Sequence, residues 1–352
     1  MLKKVLDLAA NNGFLSRSKS LNDKFKIGPV GQLLCQNINS EWFHNIVINK
    51  ELTVVINDGD LSETYNYVKN LCSEKLPFGI ADSEKIKKYT ADEYRENCDT
   101  GIDFKNLLCN EDDIFLKFCV FVSPNESMRY FQRWQKQRRI WYKKFSASPE
   151  RYSVSDVKNI GNTQSVNIEA KYPWGSHTVE SLELNSHDEN FTNEQLQFKD
   201  GKLITAHTIT SRIHLSTLFL NSLCDSYDEP FFQDKSRPLW RFHRKLAPYK
   251  LSFALTGSTQ SILNELNDLG LYLCKQLRTN HVSTLFLPSA SKSTLDSQYV
   301  QYDQLGIPYT VVLNERTLKD GIGSLRNRDT TLKEKVHVTE LVSYVDKLFK
   351  NY

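Results

Sequence analysis

No Cys-x-x-Cys pair occurs among the seven cysteines of this chain, and their number is odd. Neither a disulfide framework nor a zinc site is encoded by such spacing. Cys119 stands in the apolar run Phe118-Cys119-Val120-Phe121, where a free thiol serves as a small core residue. Apolar stretches long enough to cross a membrane are missing. So is the apolar segment of a secretory signal. Internal repeats and low-complexity tracts are missing too. His207, His214, His243 and His337 have no metal-ligand spacing, and no Ser/His/Asp or Cys/His arrangement stands out. The expectation is a chain with no catalytic residues, no metal site and no cofactor, in a reducing compartment.

What is present is ordinary in amount and uneven in placement. The 352 residues suffice for two domains with cores of their own. The net charge is only +3, but from Ser236 onward 16 Lys/Arg face 10 Asp/Glu. A basic C-terminal part suits an acidic partner, either nucleic acid or an acidic protein face. It equally suits a solvated basic surface. The first twenty residues carry Lys3, Lys4, Arg17 and Lys19 against Asp7, with Leu2, Val5, Leu6 and Leu8 apolar. That pattern is compatible with a mitochondrial import signal and with an ordinary N-terminal helix.

Periodicity predicts helices over 2–12 and 32–43 and a strand over 45–57 closed by Asp58-Gly59. Residues 60–113 give no clear pattern, and 114–122 is a mostly apolar strand. The strongest helix covers 126–145. Tyr130, Phe131, Trp134, Arg138, Trp141 and Phe145 share one face of it, with Arg133, Lys136, Arg139, Lys143 and Lys144 around the rest. Such a stripe reads as core with a basic back open to phosphates. Arg138 on the aromatic face calls for a carboxylate or an aromatic ring. Strands at 166–170 and 203–209 and a helix from about 213 to 226 follow. The polar, proline-bearing stretch 225–238 reads as a linker. Beyond it, strands at 249–255, 282–287 and 308–313 alternate with helices at 258–279 and 292–304. A hairpin (322–327, 334–338) and a closing helix (339–349) end the chain. This is an α/β fold of two domains, 1–235 and 236–352, the second with a mixed sheet.

Three groups of residues carry a resemblance. The first is Gly13-Phe14, Gly28-Pro29-Val30-Gly31-Gln32-Leu33, Asn37-Ile38 and Trp42. The second is Trp134, Arg138, Trp141-Tyr142, Tyr172-Pro173-Trp174-Gly175 and Glu180. The third is Leu305-Gly306-Ile307-Pro308-Tyr309, Asp320-Gly321 and Arg326-Asn327-Arg328-Asp329-Thr330. In this order they resemble glycyl-tRNA synthetase and its class II relatives. The resemblance implies an antiparallel-sheet synthetase-like domain followed by an anticodon-binding-like domain.

The departures bear on function. In an active synthetase a Phe-Arg-x-Glu strand follows the region of Leu76-Pro77-Phe78-Gly79-Ile80-Ala81, its arginine clamping ATP. Here Asp82-Ser83-Glu84-Lys85-Ile86-Lys87 follows, and no such strand is expected. The glycine-rich motif ending in arginine reads Thr210-Ser211-Arg212-Ile213-His214-Leu215-Ser216, with Ile213 at the glycine and Ser216 at the arginine. Arg212 lies a full helical turn away, roughly 5–6 Å. Without both arginines the charge stabilisation of adenylate formation is lost.

A synthetase-like chain without these signatures resembles the accessory (processivity) subunits of mitochondrial DNA polymerase gamma. Phe145-Ser146-Ala147-Ser148-Pro149, His243-Arg244-Lys245 with Ala247-Pro248, and Arg326 through Glu334 carry that closer likeness. It implies a location in the mitochondrial matrix nucleoid, the catalytic polymerase subunit as partner, and primer-template or duplex DNA as a second one. A partner-binding segment is expected at Gly321, Gly323, Leu325, Arg326, Arg328, Asp329 and Thr330. Internal pairing of Arg328 with Asp329 stays open beside it. DNA contacts are expected at Lys136, Arg139, Lys143, Lys144, Arg241, Arg244 and Lys245. Fewer than twenty residues separate Asn57 from Leu76, too few for the helical hairpin through which longer members dimerise. A one-to-one complex is expected instead of a homodimer. The alternative is a non-catalytic tRNA-binding protein.

Overall fold

The computed structural model describes residues 1–17, 24–87, 107–109, 112–188, 190–200, 202–232 and 235–350. Two compact units emerge, and neither is one stretch of sequence. The first comprises Met1–Leu15, Gly28–Asn37 and Leu223–Tyr352; the second comprises Ser16–Ile27 and Ile38–Ser222. A cut at 235/236 falls inside the first unit, because Tyr227 and Asp228 pair antiparallel with Trp240 and Leu239. The stretch read as a linker is thus ladder-bonded, and Phe231–Phe232 pairs with Lys235–Ser236 beside it.

The second unit is built on an eight-stranded sheet. Its order is Thr53–Asn57, Phe78–Lys87, Asp112–Val122, His207–His214, Gly175–Asn185, Thr163–Tyr172 and Tyr152–Val154, with Lys158–Ile160 also on Thr163–Tyr172. Only the first two strands run parallel; the remaining pairings are antiparallel. Period-2 burial is visible along Thr163–Tyr172, where Val166, Ile168, Ala170 and Tyr172 face inward. Tyr65, Phe78, Phe121, Phe191 and Phe198 form one aromatic cluster of the core.

Two expectations fail here. The strand expected over 45–57 begins only at Thr53, because His44–Ile48 continues the preceding helix as a π-helical turn. A strand does occupy Phe78–Lys87. What the sequence lacks there is the arginine, not the backbone conformation: ten ladder positions pair it with Asp112–Val122 whatever its side chains. Between Thr53–Asn57 and Phe78 lies one helix, Leu61–Leu71, capped by Asp60.

The helix Pro124–Phe145 starts at a proline after Ser123 and ends with Lys143 and Lys144, in keeping with helix-end preferences. Its buried face is Phe131, Trp134, Arg138, Trp141, Tyr142 and Phe145. Tyr130 is only half-buried, at the margin of the stripe.

In the first unit a five-stranded mixed sheet has the order Thr284–Leu285, Leu251–Leu255, Tyr309–Leu313, Ile322–Asn327, Lys333–His337. The first three are parallel and the last two antiparallel. Every residue of Leu251–Leu255 is buried, the mark of a strand covered on both faces. Leu266, Leu273 and Leu277 of the helix Gln260–Thr279 pack against it, and Thr259 caps that helix by accepting from Ile262 N. The N-terminal helix Leu2–Asn11 buries Val5, Leu8 and Ala9 and bonds Lys4 to Glu229 at 2.8 Å. Its apolar face is part of the folded unit. A short helix unmarked by periodicity, Glu315–Asp320, stops at Gly321 in the left-handed region (φ 72).

Gly306 also has a left-handed backbone (φ 70), and a Cβ there would collide with the Phe242 ring. Gly306→Ala combines backbone strain with overpacking and should cost at least about 2 kcal/mol. Denaturant unfolding of the variant checks this.

Candidate interaction surfaces

The C-terminal segment expected to meet a partner is largely an internal joint of the first unit. Arg326 is buried. Its Nη1 and Nη2 donate to Asp303 Oδ1 and Oδ2 at 2.8 and 2.9 Å, and its guanidinium lies 4.4 Å from the centre of the Tyr299 ring. Arg328 is buried too. It donates to the carbonyls of Gly306 (2.8 Å) and Phe242 (2.9 Å), and to both Asp329 oxygens at 2.9 and 3.0 Å. The Arg328 backbone N–H reaches Pro308 O at 2.9 Å. Leu305-Gly306-Ile307-Pro308 and Arg326 through Thr330 are therefore two halves of one network. Gly323 and Leu325 are buried in the strand between them, and Gly321 is half-buried at the helix end.

What this joint presents outward is Asp329 and Thr330. Asn327 Oδ1 accepts from the backbone N–H of both, at 2.8 and 3.2 Å, which locks the turn. Burial alone would raise the Asp329 pKa, but the Arg328 and Arg241 guanidiniums outweigh it and hold the carboxyl below its ordinary value. Arg241 bridges Asp228 (2.6 Å) and Asp329 (3.1 Å), so its charge is largely committed within the unit. Arg244 and Lys245 are half-buried in the next turn.

The residues that position this surface escaped sequence reading. Asp303, Tyr299, Asp228 and Phe242 had no motif of their own. One signal existed: Tyr299, Tyr302 and Asp303 recur at helical spacing, and an acid on such a stripe asks for a cation.

On the second unit, Lys136, Arg139 and Lys144 are exposed on the helix Pro124–Phe145, and Lys143 is half-buried. At 100° per residue Arg129, Lys136, Arg139 and Lys143 fall on one outer stripe. Arg133 beside them pairs with Glu51 at 3.1 Å. An exposed row of cations suits contacts to successive phosphates.

Behind that stripe Arg138 and Glu180 are wholly buried. Nε of Arg138 donates to the two Glu180 oxygens at 2.9 and 3.0 Å, and Nη1 to Asn45 Oδ1 at 2.9 Å. The guanidinium also lies 4.5 Å from the Trp141 ring centre, so both partners expected for this cation are found. Ser211 Oγ donates to Glu180 at 2.5 Å. Tyr172 stacks on Trp174 at 4.9 Å and donates to Asn221 Oδ1 at 2.7 Å.

The two positions aligned with nucleotide-binding arginines offer little charge. Ser216 is buried at the start of the helix Leu215–Ser226. Arg212, four residues earlier, stands on the strand His207–His214 and not on the helix, so the expected offset of one helical turn does not hold. It projects from the sheet with its guanidinium 4.1 Å from the Phe115 ring centre. Lys117, its cross-strand neighbour, pairs with Glu84. No helix of the described residues is long and apolar enough to cross a membrane.

Comparison with known proteins places this geometry. The family model described as "Anticodon binding domain" matches residues 257–348. DNA polymerase subunit gamma-2, mitochondrial, of Drosophila melanogaster is 30% identical over 244 residues, 65% of this chain and 65% of that protein. The Xenopus laevis protein of the same name is 27% identical over 78% of this chain and 60% of its own length. DNA polymerase subunit gamma-2 of Bos taurus is 28% identical, covering 95% of this chain and 81% of that one. The match thus spans less than two thirds of the length of the first two relatives. Glycine--tRNA ligase of Borreliella burgdorferi is 25% identical over 79% of this chain and 62% of the ligase. A crystal structure of prolyl-tRNA synthetase from Cryptosporidium parvum, in complex with L-proline and AMP, covers 99% of this chain and 77% of that one. Its TM-score is 0.65 at 13% identity. The fold is that of a class II synthetase, with an anticodon-binding domain in its C-terminal region.

Proposed function

This chain is a relative of the gamma-2 subunits of DNA polymerase, and from that premise we propose that it is a non-catalytic accessory subunit of the mitochondrial replicative polymerase. One observation carries the reading: the sequence likeness to a gamma-2 subunit runs through nearly the whole chain, across both units. Support comes from the two positions where a synthetase has its ATP-binding arginines. One is a buried serine, and the strand at the other has no arginine. In this reading the scaffold binds in place of catalysing adenylate formation.

The first unit docks on the catalytic subunit through the rigid turn at Asp329 and Thr330. Arg326 and Arg328 act as positioning residues behind it. The row Lys136, Arg139 and Lys143 contacts DNA phosphates with Lys144 at its flank, and Arg244 and Lys245 form a smaller patch on the first unit, Arg241 being held by Asp228 and Asp329. The complex is one-to-one, because the single helix Leu61–Leu71 stands where a helical-hairpin arm would need more chain. Its place of work is the mitochondrial matrix.

Primer extension by the matching catalytic subunit, with and without this chain over a salt series, tests the reading. Longer products and higher salt tolerance are expected. Replacing Lys136, Arg139, Lys143 and Lys144 by alanine should lower DNA affinity. It should also reduce the slope of log K against log salt by about 0.9 for each phosphate no longer neutralised. Unchanged product length at every salt concentration defeats the proposal. A second reading, tRNA binding without catalysis, rests on the match of residues 257–348 to the anticodon-binding model. Preferential binding of tRNA over duplex DNA in competition would favour it.

A further inference from the structure

In the second unit Lys50 ends in a cleft of about 410 Å3, lined in part by Asn49, Pro77, Tyr130 and Arg133. Its Nζ lies 4.2 Å from the Trp134 ring centre and 3.4 Å from Gln137 Oε1. Among the described residues no carboxylate pairs with it. Glu51, its neighbour in sequence, is turned to Arg133, and Glu180 is held by Arg138. The amine therefore faces two guanidiniums from the helix Pro124–Phe145, and the nearby acids are each committed to one of them. Desolvation is the largest influence on this amine, followed by Arg138 and Arg133. Together they outweigh Glu180 and Glu51 and bring its pKa down to about 8.

We propose that Lys50 is an acylation site that takes a small acyl group from a thioester. The amine lone pair attacks the thioester carbonyl carbon. A C–N bond forms, the C–S bond breaks, the sulfur leaves as thiolate with the bonding pair, and the surplus proton passes to water. No oxidant or reductant takes part. The amide product is uncharged, so it ends the repulsion from Arg133 and Arg138 and rests on the Trp134 ring. The cleft has room for an acetyl group beside the amine.

The test is acetyl transfer from acetyl-coenzyme A to the full chain between pH 7 and 10, with occupancy read by peptide mass spectrometry. Lys144 and Lys275, both exposed, are internal references. At pH 8 about half of Lys50 is neutral, against about 0.4% of an ordinary lysine, a gain of roughly 100-fold. A weaker base is a poorer nucleophile, and a slope like that of thiols (about 0.4–0.5) leaves about tenfold. Lys50 should therefore react about ten times faster than both references at pH 8, and its rate should level off by pH 9. Gln137→Glu sets a carboxylate beside the amine and should slow Lys50 alone. If Lys50 reacts no faster than the references, or its rate still climbs at pH 10, the proposal is overturned.

Discussion

Arg138→Met should destabilise the second unit by about 3–5 kcal/mol, because it leaves Glu180 charged and unpaired where water cannot reach it. Both side chains are fully buried, and the pair is closed by Asn45 on one side and Ser211 on the other. The Trp141 and Tyr142 rings, which meet edge to face, lose their cation at the same time. Glu180→Gln strands the opposite charge and should cost a similar amount. The double variant Arg138→Met/Glu180→Gln removes both charges. It should regain more than half of the loss, since a buried ion pair contributes little net stability over a neutral substitute. Urea unfolding followed by tryptophan fluorescence reads all three. Trp134 and Trp141 lie on the same helix as Arg138. A single variant that unfolds like the parent would show that the charges are not buried as described.

Asp303→Asn should weaken the proposed complex with the catalytic subunit as much as Arg326→Ala does, although Asp303 is itself buried. Each change breaks the same bidentate pair, and each should cost about 3–5 kcal/mol of folding stability in the first unit. The weaker binding then follows from the disordered joint, since both side chains are buried within the unit. Thr330→Ala gives the opposite pattern: its side chain is exposed, so stability should change by less than about 0.5 kcal/mol, while affinity falls. Calorimetric titration against the catalytic subunit, set beside thermal unfolding of the free chain, separates the two. Arg326→Ala with intact stability and lost affinity would mean that the guanidinium leaves Asp303 for the partner.

The sequence by itself determined the element types wherever a strong period ran unopposed. The aromatic stripe of 126–145 named the buried face of its helix, including the cation within it, because 3.6-residue periodicity and the cost of burying a lone charge are local facts. The apolar run 251–255 and the capped helix after it were legible for the same reason. The motifs Gly13-Phe14 with Gly28, Tyr172-Pro173-Trp174-Gly175, and Leu305-Gly306-Ile307-Pro308 proved to be packing joints. The Gly28 N–H bonds to Phe14 O at 2.8 Å, and a Cβ on Gly28 would strike the Gly13 carbonyl. A glycine required by close approach can be recognised in sequence only through resemblance.

Tertiary structure alone decided the rest. Phe78–Lys87 reads as polar after Ala81, yet it is a strand because Asp112–Val122 supplies a ladder along all of it and Thr53–Asn57 along its first half; pairing across a sheet overrides local preference. The stretch 225–238 reads as a linker, yet Trp240 and Leu239 return to pair with Tyr227 and Asp228. Whether Arg326 and Arg328 point outward or inward could not be read from their spacing. Their partners lie at Asp303, Gly306 and Phe242, and only the closed fold brings these within hydrogen-bond reach. Charge type is written in the sequence; what a charge is spent on is settled by what folds against it.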